Sequence, residues 1–129
     1  MILCATDAGG AANLAPLVPV LRARGVPVEV ITRPSLAHVF EGVRVMPPPP
    51  ETPAAMARAI AARAIVCGTT CFESVDRHFV AAGRRLGIRT TVVLDERYDY
   101  SARFVVDAAP VWPDAVTVLD AASVDEAEA

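Results

Sequence analysis

The sequence contains no lysine: all 12 of its basic residues are arginine. That absence excludes a Schiff-base nucleophile and the lysine of a phosphate-binding P-loop. Positive charge is scarce overall, with a net charge of −3 and an isoelectric point near 5.3, which argues against nucleic acid as a partner. Cysteine is limited to Cys4, Cys67 and Cys71, and no two of them stand in a C-x-x-C spacing. An odd number so arranged implies neither a disulfide framework nor a zinc site. No apolar run approaches the ~20 residues of a membrane span. The opening from Met1 to Asp7 lacks the basic stretch of a signal peptide. A cytoplasmic protein with reduced thiols, no metal and no cofactor is the expectation.

What the chain has in abundance is apolar surface: 53% of its residues are hydrophobic and its mean hydropathy is +0.40. At 129 residues it has the length of one domain, able to bury roughly two-thirds of its unfolded surface. The apolar excess predicts a thick core or a covered face, the cover being a second copy of the chain in a homodimer or a second subunit.

Short apolar runs without alternation mark strands buried on both faces, which belong to parallel sheets joined by helices. They fall at Met1 to Thr6, Val26 to Thr32, Val43 to Met46, Ala64 to Cys67, Thr90 to Leu94 and Val116 to Leu119. The spacing of Leu14, Leu17, Val18 and Leu21 predicts a first helix running to about Arg24 and closed by Gly25. A short helix over Pro34 to Glu41 follows, then helices over Thr52 to Ala62 and Cys71 to Leu86, with the prolines at 47–50 as an extended connector. Asp95 to Arg103 reads as a long loop, and Asp120 as the cap of a last, acidic helix. Residues 1–129 thus form one α/β domain, a doubly wound, mostly parallel sheet with helices on both faces. In a 3-2-1-4-5-6 strand order the switch point falls between the first and fourth strands. The loops opening at Asp7 and Gly68 then face each other, and the Asp95 loop flanks them.

Each loop has a functional and a structural reading. In the first, Gly9 and Gly10 allow the backbone to approach a phosphate or a sugar hydroxyl in front of free helix N–H groups. The spacing is not G-x-G-x-x-G and Asp7 repels phosphate, so a dinucleotide is not implied; the alternative is a tight turn that Asn13 helps to close. In the second, Gly68, Thr69 and Thr70 lead into a helix carrying Glu73, and Thr70 with Glu73 has capping-box spacing. Cys71 at that helix start is either an activated thiol or a bystander, and no histidine is placed to serve it. Cys4 and Cys67 end buried strands and read as small core residues. The third loop is the most unusual: Asp95, Glu96, Arg97, Tyr98, Asp99, Tyr100 and Arg103 directly follow Val92-Val93-Leu94. Asp95 or Glu96 fits a general base, with Arg97, Tyr98 and Arg103 binding a ligand. The alternatives are a solvated loop with local ion pairs or a subunit contact. His38 and His78 read as structural, and Trp112 as packing its linker into the core or covering an edge.

Four segments, in order, carry a family likeness: ILCATDAGGAANLAPLVPVLRARG, VCGTTCFESVD, LGIRTTVVLDERYDYSARF and PDAVTVLD. Together they resemble the N-terminal half of GT-B-type glycosyltransferase-like proteins, including relatives of the UDP-N-acetylglucosamine 2-epimerases. The resemblance covers nearly the whole chain and implies a Rossmann-like domain forming the acceptor side of a cleft. It implies a lining of Gly9, Gly10, Thr69, Thr70, Asp95 and Glu96. The chain departs from the pattern after the V-L-D aspartate, where Glu96-Arg97 replaces an aromatic residue and Tyr98 follows. It also ends where the resemblance places a second, donor-binding domain. The implied protein is an acceptor-binding half that needs a partner chain. The competing expectation is a self-sufficient homodimeric enzyme or binding module for a sugar-like small molecule, with its site at the 95–103 loop.

Overall fold

The computed structural model describes residues 1–69, 75–96 and 99–118. The chain runs β1 (Ile2–Ala5), α1 (Ala8–Leu14), α2 (Leu17–Ala23), β2 (Glu29–Thr32), a 3-10 segment (Pro34–Val39), β3 (Val45–Met46), α3 (Thr52–Ala59), β4 (Ala64–Gly68) and α4 (Asp76–Leu86). It continues with β5 (Arg89–Val93), α5 (Tyr100–Arg103), β6 (Val105–Val106), β7 (Ala109–Pro110) and β8 (Ala115–Thr117). Six strands pair in parallel in the order β3-β2-β1-β4-β5-β8. This is a doubly wound, Rossmann-like sheet with its switch point between β1 and β4, as the apolar runs predict.

The unbroken apolar run of β1 explains its central place, because every one of its residues is buried. Ile2 and Cys4 join Ile31, Ile65, Cys67 and Val92 in a layer covered by α3 and α4, through Ala55, Ala59, Phe79 and Val80. Leu3 and Ala5 face the opposite layer, where Ala11, Leu14, Val18 and Phe40 cover them. Registers Leu3↔Val30 and Leu3↔Val66 fix this alternation across three strands. At the edge, β8 is pinned by Asp114, whose carboxylate accepts the Thr90 N–H at 2.7 Å and the Thr90 hydroxyl at 3.1 Å.

Three expectations change. The first helix starts at Ala8, earlier than the leucine spacing indicates, and breaks between Leu14 and Leu17. Pro16 has no N–H for the Ala12 carbonyl and its ring crowds that carbonyl, so the leucine stripe is carried by two short helices. Gly25, left-handed at φ 70°, still ends the second of them. The 95–103 segment is not wholly a loop, since Tyr100–Arg103 forms one helical turn. An unexpected hairpin follows, β6 with β7, turning on Asp107 (φ 51°) and Ala108 (φ 61°). Two left-handed central residues match the twist of paired strands. Trp112 lies just beyond, 52% exposed, with its ring 5.0 Å from that of the buried Phe104. The acidic terminal helix expected after Asp120 lies outside the described residues.

Helix α1 meets β4 backbone to backbone at Gly10 and Gly68: a Cβ on Gly68 would stand 2.8 Å from the Gly10 Cα. Gly68→Ala is therefore expected to cost about 1–3 kcal/mol. Ala108→Gly, which relieves a left-handed alanine, is expected to gain up to about 1 kcal/mol. Urea denaturation of both variants checks the pair of signs; a Gly68→Ala midpoint equal to that of the parent would contradict the backbone contact.

Candidate functional site

The carboxyl ends of β1, β4 and β5 converge at the switch point, and four side chains there do most of the bonding. Asp7 leaves β1 in an extended conformation and caps α1, its Oδ1 accepting the Gly10 N–H at 2.8 Å. Its backbone carbonyl accepts the Ala11 N–H at 3.0 Å. The other carboxylate oxygen, Oδ2, is buried and has no hydrogen-bond partner. Asp95, one residue past Leu94 at the end of β5, lies against the first turn of α1; a Cβ on Gly9 would fall on its Oδ2. Small residues at 9, 10 and 68 thus let α1 sit directly on the ends of β4 and β5.

Arg103 is fully buried. It donates to the Thr69 carbonyl at 2.5 Å, to Glu96 Oε2 at 3.1 Å and to Asp95 Oδ1 at 3.5 Å. It binds together the ends of β4 and β5 and the turn that delivers it. Thr69 itself is 1% exposed and its hydroxyl has no partner. The carboxyl group of Asp95 is raised above its ordinary range, first by burial, then by the charge of Asp7, with Glu96 adding and Arg103 opposing.

Beneath these groups lies Asp76, the first residue of α4 and completely buried. Its Oδ2 accepts the Thr6 N–H at 3.2 Å and its Oδ1 faces the Cys4 thiol at 3.5 Å. Burial pushes its pKa up to about 7; Thr6 holds it down and the charge of Asp7 raises it further. Cys4 and Cys67 are register partners across β1 and β4. Burial, with the charge of Asp76 behind it, raises both thiols well above their ordinary value. Both are free thiols packed in the core.

The residues singled out from the sequence divide into three groups. Asp7, Gly9, Gly10, Gly68, Thr69, Asp95, Glu96 and Arg103 are brought together at the strand ends. Asn13 is exposed near the end of α1, and the turn it was expected to close is closed by Asp7. Thr70, Cys71, Glu73, Arg97 and Tyr98 lie outside the described residues. His78 pairs its Nδ1 with the Thr52 hydroxyl at 2.8 Å, a structural bond, and His38 is exposed on the 3-10 segment. Asp76 was not anticipated as part of the site. Its signal was present all the same: Phe79, Val80 and Gly83 stand three, four and seven residues on, which puts an acid on the apolar face of a helix.

Chemically, the arrangement offers acceptors to a ligand and a raised carboxyl group able to exchange a proton. Among the described residues no three acidic, histidine or cysteine side chains are grouped to hold a metal ion. No family model matches the chain, and no curated protein sequence matches it significantly.

Asp76 makes the linkage testable. Its folded pKa of about 7 lies above the ordinary 3.8, so the folded state keeps a proton that the unfolded chain releases. The stability this supplies is complete below about pH 4 and is lost as pH rises through about 7. Asp76→Asn does not titrate and is expected to gain on the parent by roughly 2–4 kcal/mol between about pH 4 and pH 8. Urea denaturation across that range is the measurement; parallel pH curves for the two proteins would exclude a proton held at Asp76.

Proposed function

We propose that the crevice at the ends of β1, β4 and β5 binds a small, hydroxylated, sugar-like molecule. On this reading the chain is the acceptor-binding half of a glycosyltransferase-like enzyme, and a second subunit supplies the donor-binding half. One observation carries the ligand assignment. Two buried oxygens at the crevice, Asp7 Oδ2 and Thr69 Oγ1, lack hydrogen-bond partners. Buried polar groups in folded proteins are almost always satisfied, and ligand hydroxyls are donors that would satisfy both. The glycosyltransferase part rests on the family likeness of the four sequence segments and on the position of the crevice at a topological switch point.

In such a reaction the acceptor hydroxyl must lose its proton as the new bond forms. Asp95 is the general base in this scheme, with Glu96 as its alternate. Burial and the Asp7 charge make Asp95 more basic than a free carboxylate. Arg103 fixes the orientation of both carboxylates. Gly9 and Gly10 let α1 pack against Asp95 and the backbone of Gly68.

A second reading is a self-sufficient homodimer. Trp112, Val105 and Val116 are exposed apolar side chains on the hairpin segment and the edge strand β8, and a second copy of the chain would cover them.

Titration of the purified chain with N-acetylglucosamine, followed by NMR shifts, tests the ligand site. Binding is expected, and Thr69→Val is expected to weaken it about fivefold to tenfold, the equivalent of one hydrogen bond. Absence of binding, or full affinity in the variant, would count against the crevice. Turnover of UDP-N-acetylglucosamine by the chain alone would overturn the split-enzyme reading. Light scattering separates monomer from homodimer in the same samples.

A further inference from the structure

We infer that the molecule bound in this crevice carries an ammonium group beside its hydroxyls, as an amino sugar or an aminated polyol does, in preference to a phosphate. The inference rests on the ligand reading above and narrows it to a chemical class.

The charge balance of the described site is negative. Asp7, Asp95 and Glu96 bring three carboxylates to one crevice, and Arg103 is the cation bonded within it. Arg103 bonds to the Thr69 carbonyl, Asp95 and Glu96. Asp7 Oδ2 remains buried and unpartnered. The repulsion is felt by its neighbour, for the Asp7 charge is among the causes that raise Asp95. A cation placed against Asp7 would relieve both.

Part of the donor set that an anion would use is engaged. Helix N-termini attract phosphate through free N–H groups, but here the Asp7 carboxylate already takes the N–H of Gly10 and puts a negative charge at the start of α1. The guanidinium of Arg103 is fully buried and turned to protein acceptors. A phosphate entering the crevice would meet the carboxylates of Asp7 and Asp95, and like charges at such range repel.

A bare metal ion fits the acidic crevice less well than an organic cation. Among the described residues no three acidic, histidine or cysteine groups assemble as metal ligands. The unpartnered groups are two separate buried acceptors instead: a carboxylate oxygen of Asp7, and the hydroxyl of Thr69, which is nine-tenths buried and more. An ammonium offers three N–H donors in different directions. Paired with a neighbouring ligand hydroxyl, it matches one charged and one neutral acceptor.

The experiment uses the full chain and three probes that share a ring: glucosamine, glucose and glucose 6-phosphate, titrated at neutral pH and low ionic strength. Glucosamine is expected to bind at least tenfold more tightly than glucose, and glucose 6-phosphate more weakly than glucose. The advantage of glucosamine should shrink in 0.5 M salt, as screening at that ionic strength requires. Asp7→Asn keeps a good helix cap, so the protein should remain folded by circular dichroism while the ratio of the glucosamine and glucose affinities falls to about one. Equal affinities for glucosamine and glucose in the parent protein, or a preference for glucose 6-phosphate, would overturn the ammonium inference and leave the hydroxylated-ligand reading standing. If none of the three binds, both fall.

Discussion

The buried guanidinium of Arg103 is the interaction on which the crevice depends. Two strand ends meet at it: the carbonyl of Thr69 after β4, and the carboxylates of Asp95 and Glu96 after β5, both reached from a single turn of α5. A buried charge is tolerable only when its partners are in place, and removal of one partner typically costs about 3–5 kcal/mol because the other is left unpaired. The guanidinium suits the task because its planar fork reaches a carbonyl and two carboxylates at once, which the point charge of a lysine does not. The turn that delivers it is itself held from α4, where Arg77 donates to the carbonyls of Ala102 at 2.9 Å and Val105 at 3.1 Å. One arginine therefore fixes the segment, and the other fixes the strand ends.

With Asp95 and Glu96 held in this way, the geometry of α1 follows. Asp95 can occupy its place only because residue 9 has no side chain, and α1 can descend onto β4 only because residues 10 and 68 have none. Asp7 is then forced into the same small volume, where one of its oxygens caps α1 and the other faces no partner. The unsatisfied oxygen is thus a consequence of the packing that the glycines permit. Asp76 occupies the layer beneath, bonded to Thr6 between the end of β1 and Asp7. Its elevated pKa lets it sit among carboxylates without adding a full charge near neutral pH.

Legibility in the sequence followed the range of the interactions. Strand order was readable because each apolar run states by itself that both faces are buried, and the crossover rule then limits the connections. The site was readable to the extent that it consists of strand ends. What escaped were choices made by partners distant in the chain. Arg103 looked like a ligand-binding residue in a charged loop, but Thr69, 34 positions away, makes it a buried clamp. Asp76 stood among apolar helix positions, and its bonding partners, Thr6 and Cys4, lie about 70 positions away on another strand. The hairpin after Phe104 carries no glycine or asparagine at its turn, so the usual local signal for it was missing. Pro16 was visible, yet the leucine spacing around it pointed to a continuous helix. In the fold the two statements are reconciled by breaking the helix and keeping the apolar face.

The contacts that build the crevice also use up groups that could otherwise face outward. Each N–H at the start of α1 that bonds to Asp7, and each guanidinium bond of Arg103, is withdrawn from recognition of an anion. Parallel sheets commonly present helix N-termini to phosphate at this position; here the capping aspartate fills that role internally. The same substitution of a carboxylate for a phosphate explains why the first loop has two adjacent glycines but not the spaced glycines of a dinucleotide site. Gly9 and Gly10 make room for Asp95 and for the strand backbone of Gly68. The glycines of this loop accommodate protein groups, and its cap is a carboxylate. The switch point therefore gathers negative charge where parallel sheets commonly present donors, and it does so because Asp7, two residues beyond the end of β1, caps α1.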